Sequence, residues 1–239
     1  FSIRYVDVCD STQDVAFSLA LGGASEGVVV VAEELRLGRG RMGRRWVASR
    51  GGLWMSIVLR PESFRNMQLL SLASAVAVAK AIRNLLSVDA RVKWPNDVLV
   101  NDKKVAGILV EGYAKTSYNF VVLGIGVNVN NDLPPDLQNT ATTLKSVVGA
   151  EVSRKSLLLK ILENIDEVYA KLKQGMASDI LNEWRKYSST LGRMVRVVTR
   201  DGVLEGFAED IEDDGALRIR TREGEAIRVY EGDIIHLRT

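Results

Sequence analysis

Gly38-Arg39-Gly40-Arg41-Met42-Gly43-Arg44-Arg45-Trp46, directly after the apolar run Gly27 to Ala32, is the stretch around which the chain is organised. The apolar run reads as a buried strand, which makes the nine residues a loop leaving the end of that strand. Glycines at every second or third place let the backbone take positive φ and come close to a ligand. Arginine forks grip carboxylates and phosphates through paired hydrogen bonds, and Trp46 is placed to stack on a ring. The loop is suited to wrap an anionic ligand, although Arg/Gly-rich stretches also serve as solvated basic segments that hold nucleic acid loosely.

Upstream, Ile3 to Val8 alternates as a strand, and Ser11 with Asp14 three places on opens a short helix that Gly22-Gly23 ends. Ser11 and Thr12 cap that helix, and the hydroxyl pair also suits a small polar ligand, since free backbone N–H groups point the same way. Downstream, Leu53 to Arg60 is a strand stopped by Pro61. Phe64 to Leu86 then forms a helix whose apolar face, with Leu69, Leu72, Val76 and Ala79 on one stripe, is wide enough to pack on a sheet.

Arg91-Val92-Lys93-Trp94-Pro95-Asn96-Asp97-Val98-Leu99-Val100 follows. A lysine between apolar neighbours at a strand end is costly unless an anion meets it, and Asn96-Asp97 are turn formers that offer polar side chains to a pocket. A hairpin around Asn101-Asp102 leads to Lys104 to Gly112 and then to the strand Asn119 to Val127, which ends in Gly124-Ile125-Gly126-Val127-Asn128. Alternate glycines mark a strand face that something approaches closely. Residues 131–152 are polar and rich in turns; helices follow from Ser153 to Leu172 and from Ala177 to Tyr187.

From Leu191 the pattern changes to five short strands with turn signals, Met194 to Arg200, Asp201-Gly202 and Asp213-Asp214-Gly215 among them. That pattern predicts a small C-terminal β-barrel. The chain thus divides into residues 1–189, an α+β unit, and residues 190–239.

The 239 residues suffice for one large core with an appendage, and 46% hydrophobic with 26% charged residues is ordinary globular composition. A net charge of +2 excludes a general polyanion binder, while Arg36, Arg39, Arg41, Arg44 and Arg45 concentrate charge in one window. Cys9 and His236 are the only residues of their kinds. One cysteine excludes an internal disulfide and a multi-cysteine metal site, and one histidine excludes a site of several histidine ligands; His236 reads as an ordinary surface or satisfied residue, so no Ser-His-Asp chemistry is expected. No signal pattern opens the chain, and the apolar stripe Leu69 to Ile82, broken by Ser71, Ser74 and Lys80, reads as too short to span a bilayer. The expectation is a cytoplasmic protein with no membrane partner.

Taken together, Ser11-Thr12, the arginine loop, Lys93-Trp94-Pro95-Asn96-Asp97, Ala106-Gly107-Ile108-Leu109-Val110-Glu111 and Gly124-Ile125-Gly126-Val127-Asn128 resemble the biotin protein ligase family, in the family's order and over essentially the whole chain. The resemblance implies a central mixed sheet with helices packed on it, like the catalytic domain of class II synthetases, and an SH3-like C-terminal barrel. It implies a biotin–[acetyl-CoA-carboxylase] ligase reaction: biotin and ATP give biotinyl-5′-AMP and pyrophosphate, and a lysine of a biotin carboxyl carrier protein then takes the biotin and releases AMP.

On the same resemblance Lys93 and Arg41 are catalytic. Ser11, Thr12, Arg39, Gly40, Arg41, Lys93 and Gly107 meet biotin, and Arg39, Arg41, Trp46, Lys93, Asn96 and Asn128 meet the nucleotide. Mg²⁺ rides with ATP, as suits a small hard ion, with Asp97 its candidate protein ligand. The acceptor amine, which titrates near ~10.4 when free, has no histidine base in view and relies on positioning or on Asp97. Two departures stand out: Leu35 replaces a usual glutamine, and Ser11-Thr12-Gln13 replaces the common Ser-Thr-Asn. Fewer than a dozen residues precede Ser11, so no DNA-binding domain is expected, and an exposed sheet edge suits a homodimer. The rival readings are a lipoate ligase and, in another class, a noncatalytic nucleic-acid-binding protein. The arginine loop is expected to be mobile when empty, because glycines and mutually repelling arginines have little to hold them.

Overall fold

A computed structural model describes residues 1–62, 67–115, 118–199 and 202–237. The predicted helix start at Phe64, the last strand residue Arg200 and the turn residue Asp201 lie outside the described residues. The first unit is built from β1 (Ser2–Cys9), α1 (Thr12–Leu21), β2 (Val28–Leu35), β3 (Leu53–Leu59), α2 (Met67–Leu86), β4 (Arg91–Lys93), β5 (Asp97–Val100), β6 (Lys103–Lys115) and β7 (Tyr118–Val127). Three helices complete it: α3 (Leu144–Val148), α4 (Arg154–Lys173) and α5 (Ala177–Tyr187). Its sheet runs β1-β2-β3-β7-β6-β5-β4. β1 and β2 are parallel, joined through α1, and every other pairing in the sheet is antiparallel. The sheet is therefore mixed, as expected.

Strand alternation sorts side chains to two faces. Val29, Val31, Leu53, Met55, Ile57 and Leu59 face the layer made by α2, α4 and α5. The opposite face is shared: Val30, Val58, Phe120 and Val122 pack on Ala16 and Ala20 of α1, and beyond them the face opens. α2 is longer than the stripe Leu69 to Ile82. Its segment Gln68–Leu86 has the length and mean hydropathy, 1.5, of a membrane span, so the expectation that it is too short is corrected. The apolar content goes into the core, where Leu69, Leu72, Val76 and Ala79 are buried. Lys80 reaches its rim to pair with Glu183 of α5 at 2.7 Å.

The second sheet comprises β8 (Met194–Val198), β9 (Val203–Ile211), β10 (Leu217–Arg220), β11 (Ala226–Val229) and β12 (Asp233–His236), in the order β11-β10-β9-β8-β12 and antiparallel throughout. It is fastened to the first unit by residues of both. Trp94 N donates to Thr190 Oγ1 at 3.0 Å, the Trp94 indole N–H donates to Gly215 O at 3.1 Å, and Arg185 grips Asp210 and Ile211 O.

Candidate active site

Two adjacent rows of the central sheet make the floor of a cavity. Lys93 lies opposite Asp97, Asp97 opposite Gly107, Gly107 opposite Gly126 and Gly126 opposite Trp54, a row that crosses β4, β5, β6, β7 and β3 on one face. The next row, two residues along and thus about 7 Å away, is Leu109, Gly124 and Ser56. The N-terminus of α1 stands over the second row: Ser56 Oγ donates to Thr12 Oγ1 at 2.8 Å, and Ser11 Oγ caps the helix by accepting from Gln13 N at 3.2 Å. One end of the floor therefore carries hydroxyls and the other a lysine.

The paired glycines are seats. A Cβ at Gly126 would lie 2.9 Å from the Trp46 indole and one at Gly107 would lie 3.0 Å from it, so the ring rests on bare backbone. Trp54 meets that ring edge-on at 6.2 Å between centroids, and the Lys104 ammonium stands 5.2 Å from its centre. The cavity has a volume of about 660 Å³, in the range of small-molecule sites. All the sequence-predicted residues line it: Ser11, Thr12, Arg39, Gly40, Arg41 and Trp46 from one side, and Lys93, Asn96, Asp97, Gly107 and Asn128 from the other.

The arginine loop is a folded hairpin. Trp46 N donates to Gly38 O and Gly40 N to Arg44 O, both at 2.8 Å, and Met42 and Gly43 turn the chain at φ 55° and 71°. Its arginines are held by acids from distant segments: Arg39 by Asp14 at 2.8 Å and by Glu111 at 3.5 Å, and Arg44 by Asp233 of β12 at 2.5 Å. Arg39 and Arg44 thus have partners that the loop's own composition does not show. Local composition shows only the repulsion, and each partner comes from elsewhere in the chain.

Burial pushes the Lys93 ammonium below the ordinary lysine range, with Asp97 opposing the shift and Lys104 and Arg44 adding to it. Burial lowers Arg41 in the same way. Asp97 is ion-paired with Lys104 at 2.5 Å. Among the described residues no group of three or more His, Cys, Asp or Glu could hold a metal. Asp97 alone, already paired, does not fit a resident Mg²⁺ site. Asn96 uses its Nδ2 on Ile108 O at 2.7 Å, locking the Lys93 turn to β6, and Asn128 accepts from Asn131 at 3.3 Å. Ser56, Lys104 and Asp233 are site residues that sequence reading missed. Ser56 could have been found as the one hydroxyl in a wholly buried strand, whereas nothing local marks Asp233.

His236 is half-buried and only partly satisfied: its Nδ1 lies 3.5 Å from Arg193 Nη1, which corrects the reading of an ordinary residue. Burial first, then Lys93 and Arg193, push its pKa down to about 4, and its Nε2 is buried with no hydrogen-bond partner among the described residues. Between pH ~6.5, the unfolded value, and 4 the unfolded chain takes up the proton that the folded one refuses. Stability therefore falls as pH falls through that window. Urea midpoints measured from pH 7 to 4 are expected to drop more steeply for the wild type than for His236→Gln; parallel curves would contradict this.

Residues 5–128 match the biotin/lipoate A/B protein ligase family, and residues 190–237 match the biotin protein ligase C-terminal domain. The chain is 38% identical over 236 residues to the bifunctional ligase/repressor BirA of Bacillus subtilis, covering 96% of this chain and 72% of that one. It is 33% identical over 246 residues to the biotin–[acetyl-CoA-carboxylase] ligase of Mycobacterium tuberculosis, covering 98% and 90%. The fold matches biotin protein ligase from Aquifex aeolicus in complex with biotin and ATP at a TM-score of 0.88, with 31% identity and coverage of 100% and 99%.

Proposed function

This chain belongs to the biotin/lipoate A/B protein ligase family, and from that premise we propose that it is a biotin protein ligase acting on biotin, ATP and a lysine of a biotin carboxyl carrier protein. The observation that carries the reading is the two-row floor, with hydroxyls over one row and Lys93 ending the other. A ligand with a polar head and a carboxylate tail would lie along it, head at Ser11 and Thr12 and carboxylate toward Lys93.

In the first step a biotin carboxylate oxygen attacks the α-phosphorus of ATP, and the bond to the β-phosphate oxygen breaks to release pyrophosphate. Two anions meet, so fixed positive charge must cancel their repulsion. Lys93 and Arg41 supply it from the cavity wall, and Arg39 exchanges Asp14 for the adenylate. Trp46, Asn96 and Asn128 face the nucleotide, and Gly40 and Gly107 complete the biotin wall. Mg²⁺ arrives on the ATP phosphates as part of that substrate. In the second step the acceptor amine attacks the anhydride carbonyl, AMP leaves and a proton is lost. A loop held over the adenylate keeps water from it.

Residues 1–189 are assigned the chemistry and residues 190–239 a supporting role through Asp233. The protein is assigned to the cytoplasm and to a homodimer formed at the sheet edge, where β1 exposes Ile3 and Tyr5. No nucleic-acid role is assigned to the arginine loop, because its arginines line a cavity of small-molecule size and the net charge of the chain is only +2. The lipoate reading is disfavoured by the hydroxyl end, since a dithiolane head leaves those groups unpaired.

The test is exchange of labelled pyrophosphate into ATP with biotin or lipoate, followed by mass measurement of a carrier domain. Exchange with biotin and a single added biotin are expected. Exchange with lipoate alone, or with neither acid, would overturn the reading.

A further inference from the structure

Resting on the biotin ligase reading, we propose that Gln13 is a specificity-determining residue whose Oε1 accepts an N–H of the cyclic urea of biotin. Gln13 is 4% exposed, lines the cavity, and its Oε1 is buried with no hydrogen-bond partner among the described residues. A buried carboxamide oxygen left unpaired is costly, and a ligand donor at that point removes the cost.

The orientation of the carboxamide is fixed chemically. Its Nε2 donates to Glu111 Oε2 at 2.7 Å. Turned over, the amide would set two acceptor oxygens against each other at that distance. The seat is equally specific: a Cβ at Gly124 would lie 2.9 Å from Gln13 Oε1, so the glycine is what lets the side chain lie against β7.

The neighbours leave a gap of one chemical kind. Ser11 Oγ already accepts from Gln13 N, and Thr12 Oγ1 already accepts from Ser56 Oγ, so each hydroxyl has its hydrogen free to donate. Two donors suit the carbonyl oxygen of a urea, but a urea also carries two N–H groups that need an acceptor. Leu35, in the same wall, offers none. Gln13 Oε1 supplies it. Glu111, which orients the carboxamide, is also the partner of Arg39, so the residue reading the ligand head shares a carboxylate with the arginine loop.

The experiment measures pyrophosphate exchange by the wild type and Gln13→Met. The probes are biotin and two analogues in which one or the other urea N–H is replaced by CH₂. Gln13→Met is expected to raise the KM for biotin about ten- to a hundredfold, with kcat changed no more than a few-fold and the KM for ATP held. One analogue should cost the wild type a similar factor and cost Gln13→Met nothing further, the coupling expected of a direct contact. Should Gln13→Met not fold, Gln13→Asn, with its carboxamide one methylene short, reads the same cycle. Equal losses on both proteins for both analogues, or an unchanged KM, overturn the assignment while leaving the ligase reading intact. No exchange by the wild type refutes that reading itself, and this assignment with it.

Discussion

Lys93→Met is expected to lower biotin-dependent pyrophosphate exchange by about 10²–10³-fold, the usual cost of removing one preorganised charged donor from a transition state. The substitution keeps an unbranched chain, one atom shorter, and removes the ammonium with its charge and its donors. Lys93 ends the row that contains Asp97, Gly107 and Gly126, so it is fixed by a β-hairpin. Burial lowers its pKa, which means that an empty site holds the ammonium at a cost and an arriving anion is repaid with a stronger interaction than at the surface.

A pH dependence follows. Exchange should fall on the alkaline side as Lys93 loses its proton. The midpoint in kcat/KM should lie below the free lysine value of ~10.4, and the midpoint in kcat should lie higher, because bound anions favour the charged form. For folding the sign is fixed by the same shift. Between the lowered folded pKa and the unfolded value the unfolded chain binds more protons, so Lys93 makes stability rise with pH across that window. A variant that keeps more than a tenth of the exchange, or an alkaline limb that survives in Lys93→Met, would remove Lys93 from the chemistry.

The parts of this site that were legible in the sequence are those whose signal is local. Alternate glycines at 124 and 126 name one strand face whatever the fold, and a lysine before a proline turn names a strand end. What the strands bring together is set by register, and register is not written locally: nothing near Gly107 says that it meets Gly126 or that Trp46 lies on both. Gln13 was visible only as a departure from the common Ser-Thr-Asn; its meaning depends on Glu111, 98 positions away. The arginine loop shows the same limit: its composition carries the repulsion of its arginines, whereas the acids that pair with Arg39 and Arg44, Asp14, Glu111 and Asp233, come from three separate elements. α3, at five residues, is too short for periodicity to reveal and is set by the Thr143 cap and by Gly149 at φ 79°.

Trp94→Ala is expected to destabilise the protein by about 3–5 kcal/mol, the usual cost of emptying a fully buried indole site, and to take activity with it. Trp94 is 1% exposed, its backbone N–H donates to Thr190 Oγ1 at 3.0 Å, and its indole N–H donates to Gly215 O at 3.1 Å. One residue thus joins three things: the turn after Lys93, the chain leaving the first unit, and the second sheet. Removing the ring leaves a cavity between them and strands the Gly215 carbonyl, and a loss of this size is a large share of the roughly 5–15 kcal/mol that a domain has. Trp94→Phe separates the two contributions, since it keeps most of the packing and loses the donor; a cost nearer about 1 kcal/mol is expected. Urea unfolding followed by circular dichroism measures both. Because Asp233 of the second sheet holds Arg44 of the cavity wall, loosening the junction at Trp94 should also raise the KM for ATP in Trp94→Phe, which still folds. Full stability in Trp94→Ala, or a Trp94→Phe protein with unchanged ATP kinetics, would show that the second sheet is attached without being coupled to the site.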